Sequence, residues 1–141
     1  MNQVDLRLLA EERIKDAKAL LDGQRWSFAY YAAGYAVECG LKSCVLARMI
    51  YTGWVFQEKW KAQECLTHEF NELIRLADLR TELTSAHAAN QGFVTRWAKV
   101  ARWDVTTRYQ HRTQAEAEEL YEAVTNDPDG VCGSIAGGKQ C

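Results

Sequence analysis

The chain has 141 residues, room for one domain built on one hydrophobic core. Apolar residues make up 48% and charged residues 26%, which excludes a disordered polyelectrolyte. A formal net charge of −2 argues against a broad electrostatic grip on DNA and leaves only a local basic patch for contact with nucleic acid.

Residues 3–22 are predicted to form an amphipathic helix. Leu6, Leu9, Ala10, Ala17, Leu20 and Leu21 share one face, and Asn2 stands at the N-cap position. Gly23 follows as the expected C′ glycine. So short a connection forces an antiparallel hairpin with the next helix.

That next helix, residues 26–50, is apolar round most of its circumference, as a helix in the middle of a bundle must be. One side collects Trp26, Ala29, Tyr30, Ala33, Val37, Leu41 and Cys44; another collects Phe28, Ala32, Cys39, Leu46 and Ile50. A narrow polar stripe remains, with Ser27, Tyr31, Glu38 and Lys42 on it and Tyr35 at its edge. Glu38 and Lys42 stand at i,i+4, acid first. On so buried a helix, such a pair is hydrogen-bonded or lines a cleft. The charges and tyrosines in this run also argue against a membrane span.

Residues 51–66 are less regular. Trp54, Val55, Phe56 and Trp60 are expected to cover one end of the core as a short helix or ordered loop. A short helix is expected at 69–78, with Phe70, Leu73, Ile74 and Ala77 inward and His68 capping or hydrogen-bonding at its start. After a break at 78–80 comes a longer helix at about 82–102, weakened by Gly92. A connector, residues 103–112, leads to Thr113-x-x-Glu116, a capping box that opens a last helix at 114–126. Residues 1–126 thus form a single domain, and residues 127–141 form a Gly-rich tail expected to be flexible. The fold class is all-α, an up-and-down bundle of four to five helices.

The five cysteines, at 39, 44, 65, 132 and 141, contain no CxxC, and no Cys/His cluster has ligand spacing. No metal and no cofactor is expected. The first residues lack a basic stretch followed by an apolar one, so no export signal is read there, and reduced thiols in a cytoplasm fit.

The pattern Ala29, Ala33-Gly34-Tyr35-Ala36-Val37-Glu38, Leu41-Lys42 on the second helix resembles HEPN domains, small helical bundles of higher eukaryotes and prokaryotes. Thr67-His68-Glu69-Phe70 and the placement of Trp103 before Arg108-Tyr109 fit the same family, and the resemblance spans residues 5–126. It implies a homodimer. It also implies a binding module for a nucleotide, an RNA or a partner protein such as a nucleotidyltransferase-like chain. Two alternatives stay open: a metal-independent, toxin-type endoribonuclease, and a catalytically inactive structural partner. The ribonuclease branch carries an Arg and a His separated by four to six residues, which Arg80 and His87 match. In that chemistry the imidazole moves the 2′-hydroxyl or leaving-group proton and the guanidinium neutralises charge on the phosphorane. A second constellation, Arg102, Arg108, His111 and Arg112 beside Tyr109, gathers cations suited to phosphate. Glu38 and Lys42 are placed to reach the same end of the bundle. The resemblance implies a structural alternative for Arg108, as the partner of buried Glu38.

Overall fold

The computed structural model describes residues 2–52 and 66–126. Within them lie six α-helices, one 3-10 turn and no strand: α1 (Gln3–Asp22), α2 (Trp26–Thr52), α3 (Phe70–Leu76), α4 (Arg80–Ala89), α5 (Gln91–Val100), the 3-10 turn (Val105–Tyr109) and α6 (Gln114–Thr125). The aromatic stretch expected to cover one core end falls mostly in 53–65, and the Gly-rich tail in 127–141; both lie outside the described residues.

α1 opens with a capping box. Asn2 Oδ1 accepts from the Asp5 N–H at 2.9 Å, and Asp5 Oδ2 accepts from the Asn2 N–H at 3.0 Å. Its end departs from expectation by one residue. Gly23 is the cap itself, with φ −85°, and the left-handed position is taken by Gln24 at φ 59°. The Gln24 N–H bonds to Leu21 O at 3.0 Å and the Arg25 N–H to Leu20 O at 2.8 Å, the paired pattern of a Schellman turn. α2 therefore starts at once and packs back along α1.

α2 is the centre of the bundle. α1 lies on one flank, α6 on another, and α3 and the 3-10 turn on the remaining side. Ala29, Ala32, Ala33 and Ala36 are all buried and let neighbouring backbones come close. The main core joins Ala29, Ala32 and Ala33 to Leu73, Ile74, Leu79, Phe93, Trp97, Val100, Leu120 and Val124. Phe28, expected to be packed, is 57% exposed, and Ala101, expected on the stripe of the 82–102 helix, is exposed as well.

α3 ends in a second Schellman turn. Asp78 takes φ 58°, its N–H bonds to Arg75 O at 3.1 Å, and the Leu79 N–H bonds to Ile74 O at 3.0 Å, with Leu79 fully buried. The single helix expected at 82–102 is two helices. Asn90 adopts extended backbone angles, ends α4, and caps α5 by accepting from the Phe93 N–H at 3.2 Å. An Asn side chain competes with helical backbone bonding and wins at this point, so the break falls at Asn90 rather than at Gly92. α6 opens with the predicted box: Thr113 Oγ1 accepts from the Glu116 N–H at 3.2 Å and Glu116 Oε1 from the Thr113 N–H at 3.3 Å. No helix among the described residues is long and apolar enough to cross a membrane.

The break at Asn90 has a signed consequence. Asn90→Ala removes a cap and should lower the unfolding free energy by about 1 kcal/mol. In a continuous helix the same change would raise stability, because Ala is the better helix former. Chemical denaturation of the variant separates the two, and a stabilised protein would contradict the break.

Candidate functional site

The connector between α5 and α6 is strapped to α2 at two points. At its start, Trp103 is buried against Gly34. A Cβ on Gly34 would lie 2.2 Å from Trp103 Cδ1, so only glycine admits the indole there. The ring stacks on Phe70 with centroids 5.3 Å apart and an interplanar angle of 7°, and meets Tyr31 at 5.8 Å. Asp104 then caps the 3-10 turn, accepting from the Thr106 N–H at 2.7 Å and from the Thr106 hydroxyl.

At the connector's far end Arg112 is held by several contacts, with only its Nε left buried and unbonded. Its N–H donates to Ser27 Oγ at 2.9 Å. Its guanidinium lies 4.4 Å from the Tyr30 ring centroid and bonds Glu116 Oε2 at 2.8 Å and Gln110 Oε1 at 2.6 Å. Arg112 is an anchor, and it leaves the group of cations read from the sequence. The other members lie on the surface of the same connector. Arg102, Arg108 and His111 are exposed, and Tyr109 is 77% exposed with the Arg108 guanidinium 4.8 Å from its centroid. No carboxylate among the described residues pairs with Arg102, Arg108 or His111.

Glu38 answers to other residues than Arg108. Its side chain is 1% exposed, and Oε1 receives both Lys42 Nζ at 2.7 Å and His68 Nδ1 at 2.8 Å. A carboxylate accepts only, so Nδ1 carries the imidazole proton and Nε2 is the free ring nitrogen of the neutral form. His68, whose side chain is 48% exposed, therefore does not cap α3; the Glu69 N–H is taken by Thr67 Oγ1 at 3.1 Å. Glu38 Oε2 and Trp103 Nε1 are both buried without a hydrogen-bond partner, and Gly34, beneath the indole, is one helical turn from Glu38. The expected Glu38–Lys42 pair is thus present. It forms a locus with His68, joined by no hydrogen bond to the exposed cations of the connector.

Arg80 and His87 lie on the same side of α4, but seven residues amount to about 10 Å of axial rise, and no hydrogen bond joins them. Arg80 is exposed at the helix start. His87 is half-buried, its Nδ1 bonded to Leu83 O at 2.8 Å and its ring edge-on to Phe93 at 5.3 Å. Among the cysteines, Cys39 is a buried free thiol. Burial first, then the Glu38 charge, push its pKa up to about 11, so it stays protonated and is a poor nucleophile at neutral pH. Cys44 is disulfide-bonded, contrary to the expectation of reduced thiols throughout. No group of His, Cys, Asp and Glu among the described residues is arranged to hold a metal ion.

What sequence reading missed is long-range: the His68–Glu38 contact spans 30 positions and the Trp103–Gly34 contact leaves only a glycine as its signal. Compared with protein-family models, curated proteins and solved structures, the chain matches none.

The partner assignment for Glu38 is measurable. Lys42→Met leaves a buried carboxylate with one donor fewer and should cost about 2 kcal/mol, between the values for surface and buried pairs. Arg108→Ala should stay within about 0.5 kcal/mol of the parent. Denaturant unfolding of both variants decides it; the reverse order would restore Arg108 as the partner of Glu38.

Proposed function

We propose that this protein is a HEPN-like helical binding module whose α5–α6 connector takes a phosphate-bearing ligand, a nucleotide or RNA. The observation that carries the reading is that Arg102, Arg108 and His111 are all exposed on the connector that carries exposed Tyr109, Arg108 lying over that ring, with no carboxylate neutralising them among the described residues. A guanidinium suits a phosphate through paired N–H donors, and an exposed tyrosine offers a face on which a base stacks. In a chain of net charge −2, this patch supplies local attraction without a general affinity for polyanions. The two straps at Trp103 and Arg112 hold the patch in place before the ligand arrives, which reduces the ordering cost of binding. The resemblance of the α2 motif to HEPN domains supports the same reading, and homodimerisation or pairing with a nucleotidyltransferase-like chain belongs to it.

The endoribonuclease alternative has one observation in its favour. His87 donates through Nδ1 to Leu83 O, which leaves Nε2 as the acceptor that a general base requires. The separation from Arg80 gives it no second residue, and the binding reading stands ahead of it.

Calorimetric titration with ATP and with a short single-stranded RNA tests the proposal. Saturable, salt-sensitive binding is expected, weakened about tenfold by Arg108→Ala with the unfolding midpoint unchanged. An absence of binding to both ligands would contradict it. RNA cleavage in EDTA that is lost in His87→Ala would move the reading to the ribonuclease.

A further inference from the structure

α1 and α2 leave an open groove of about 620 Å³ between them. Its α2 wall is aromatic. Phe28, Tyr31 and Tyr35 follow one another at helical spacing, with ring centroids 5.6 Å apart for the first pair and 5.9 Å for the second. The two tyrosine rings are nearly parallel, at 8°. Phe28, at 57% exposure, is costly to leave in water on an otherwise well-packed helix.

The rim is charged, and the charges do not cancel. Arg13 and Asp16 come from α1, and Arg25 stands at the start of α2. Arg13 Nε lies 3.2 Å from Asp16 Oδ2, so that guanidinium and carboxylate offset one another. Arg25 has no carboxylate partner among the described residues. Two guanidinium groups against one carboxylate favour an anion over a cation.

We propose that the α1–α2 groove binds a small, flat aromatic acid: a ring system seated against Phe28, Tyr31 and Tyr35, with its acidic group turned to Arg25 and Arg13. The volume suits a drug-sized ligand, and an aromatic lining with a few convergent polar groups is the usual composition of such sites. The ring faces supply most of the contact through offset and edge-on packing. The arginines select the charge and fix which end of the ligand points outward. The proposal does not rest on the phosphate reading, although Tyr31 of the groove also meets Trp103 at the start of the connector.

The test titrates the full chain with 2-naphthoate and, separately, with 2-naphthylmethylammonium, a cation with the same ring system. Calorimetry and the NMR signals of the Tyr31 and Tyr35 rings report binding. The expected result is one saturable site for the acid, with the cation at least about tenfold weaker. Phe28→Ala should weaken the acid about tenfold. Arg25→Gln should do the same and narrow the preference for acid over cation. Both positions are exposed, so neither variant threatens the fold. No saturable binding, equal binding of acid and cation, or acid binding indifferent to Phe28→Ala would each overturn the proposal.

Discussion

The contact between Trp103 and Gly34 ties the end of α5, the start of α3 and the connector to the α1–α2 hairpin. An indole occupies the space where any other residue would carry its Cβ. Through that ring the end of α5 is held against the middle of α2, and through the Phe70 stack the start of α3 is held to both. The aromatic packing continues inward, from Phe70 to Trp97 at 6.5 Å and from Trp97 to Phe93 at 6.3 Å. A buried aromatic contributes both area and directional packing, so a chain of such contacts specifies orientation as well as stability. The connector's course follows from it. Trp103 pins one end and Arg112 pins the other to Ser27 and Tyr30; between them Thr107 is buried, while Arg108, Tyr109, Gln110 and His111 lie on the surface.

Glu38 adds a polar constraint one helical turn further along α2. A carboxylate at 1% exposure is expensive to desolvate, and two donors on a single oxygen offset part of that cost. A buried ion pair of this kind is weak evidence for net stability. What it does provide is registry: His68 satisfies the carboxylate only if the segment before α3 lies in one position against α2. The apolar stack on Trp103 and the polar tie on Glu38 therefore fix neighbouring points of the same helix–helix approach, one by shape and one by hydrogen bonding.

Much of this was readable in advance, and the limits have physical causes. α1, the central α2 and the capping box of α6 rest on local periodicity and caps, which a sequence displays directly. The Glu38–Lys42 pair is local too, at i,i+4. The pair's third member was not visible, because nothing in the chain near His68 names a partner on α2. The split at Asn90 was missed for a different reason. Apolar spacing continues across the break, and Gly92 draws attention away from an Asn that has the better chemistry for a cap. Helical spacing alone places Phe28 inward, because it does not reveal that the α1 side of the groove stays open. Arg112 looked like one more cation of the connector and proved to be an anchor, a distinction that depends on Ser27, Tyr30, Gln110 and Glu116 meeting it in space.

The account stands or falls on the glycine beneath the indole. The most direct measurement is the unfolding free energy of Gly34→Ala beside that of Gly40→Ala, a glycine of the same helix with nothing within 4 Å of its would-be Cβ. Gly34→Ala should lose about 3 kcal/mol through forced displacement of Trp103, while Gly40→Ala should hold or gain up to about 1 kcal/mol from improved helix propensity. Equal stability in the two variants would contradict the Trp103–Gly34 contact and, with it, the placement of the connector that the functional reading uses.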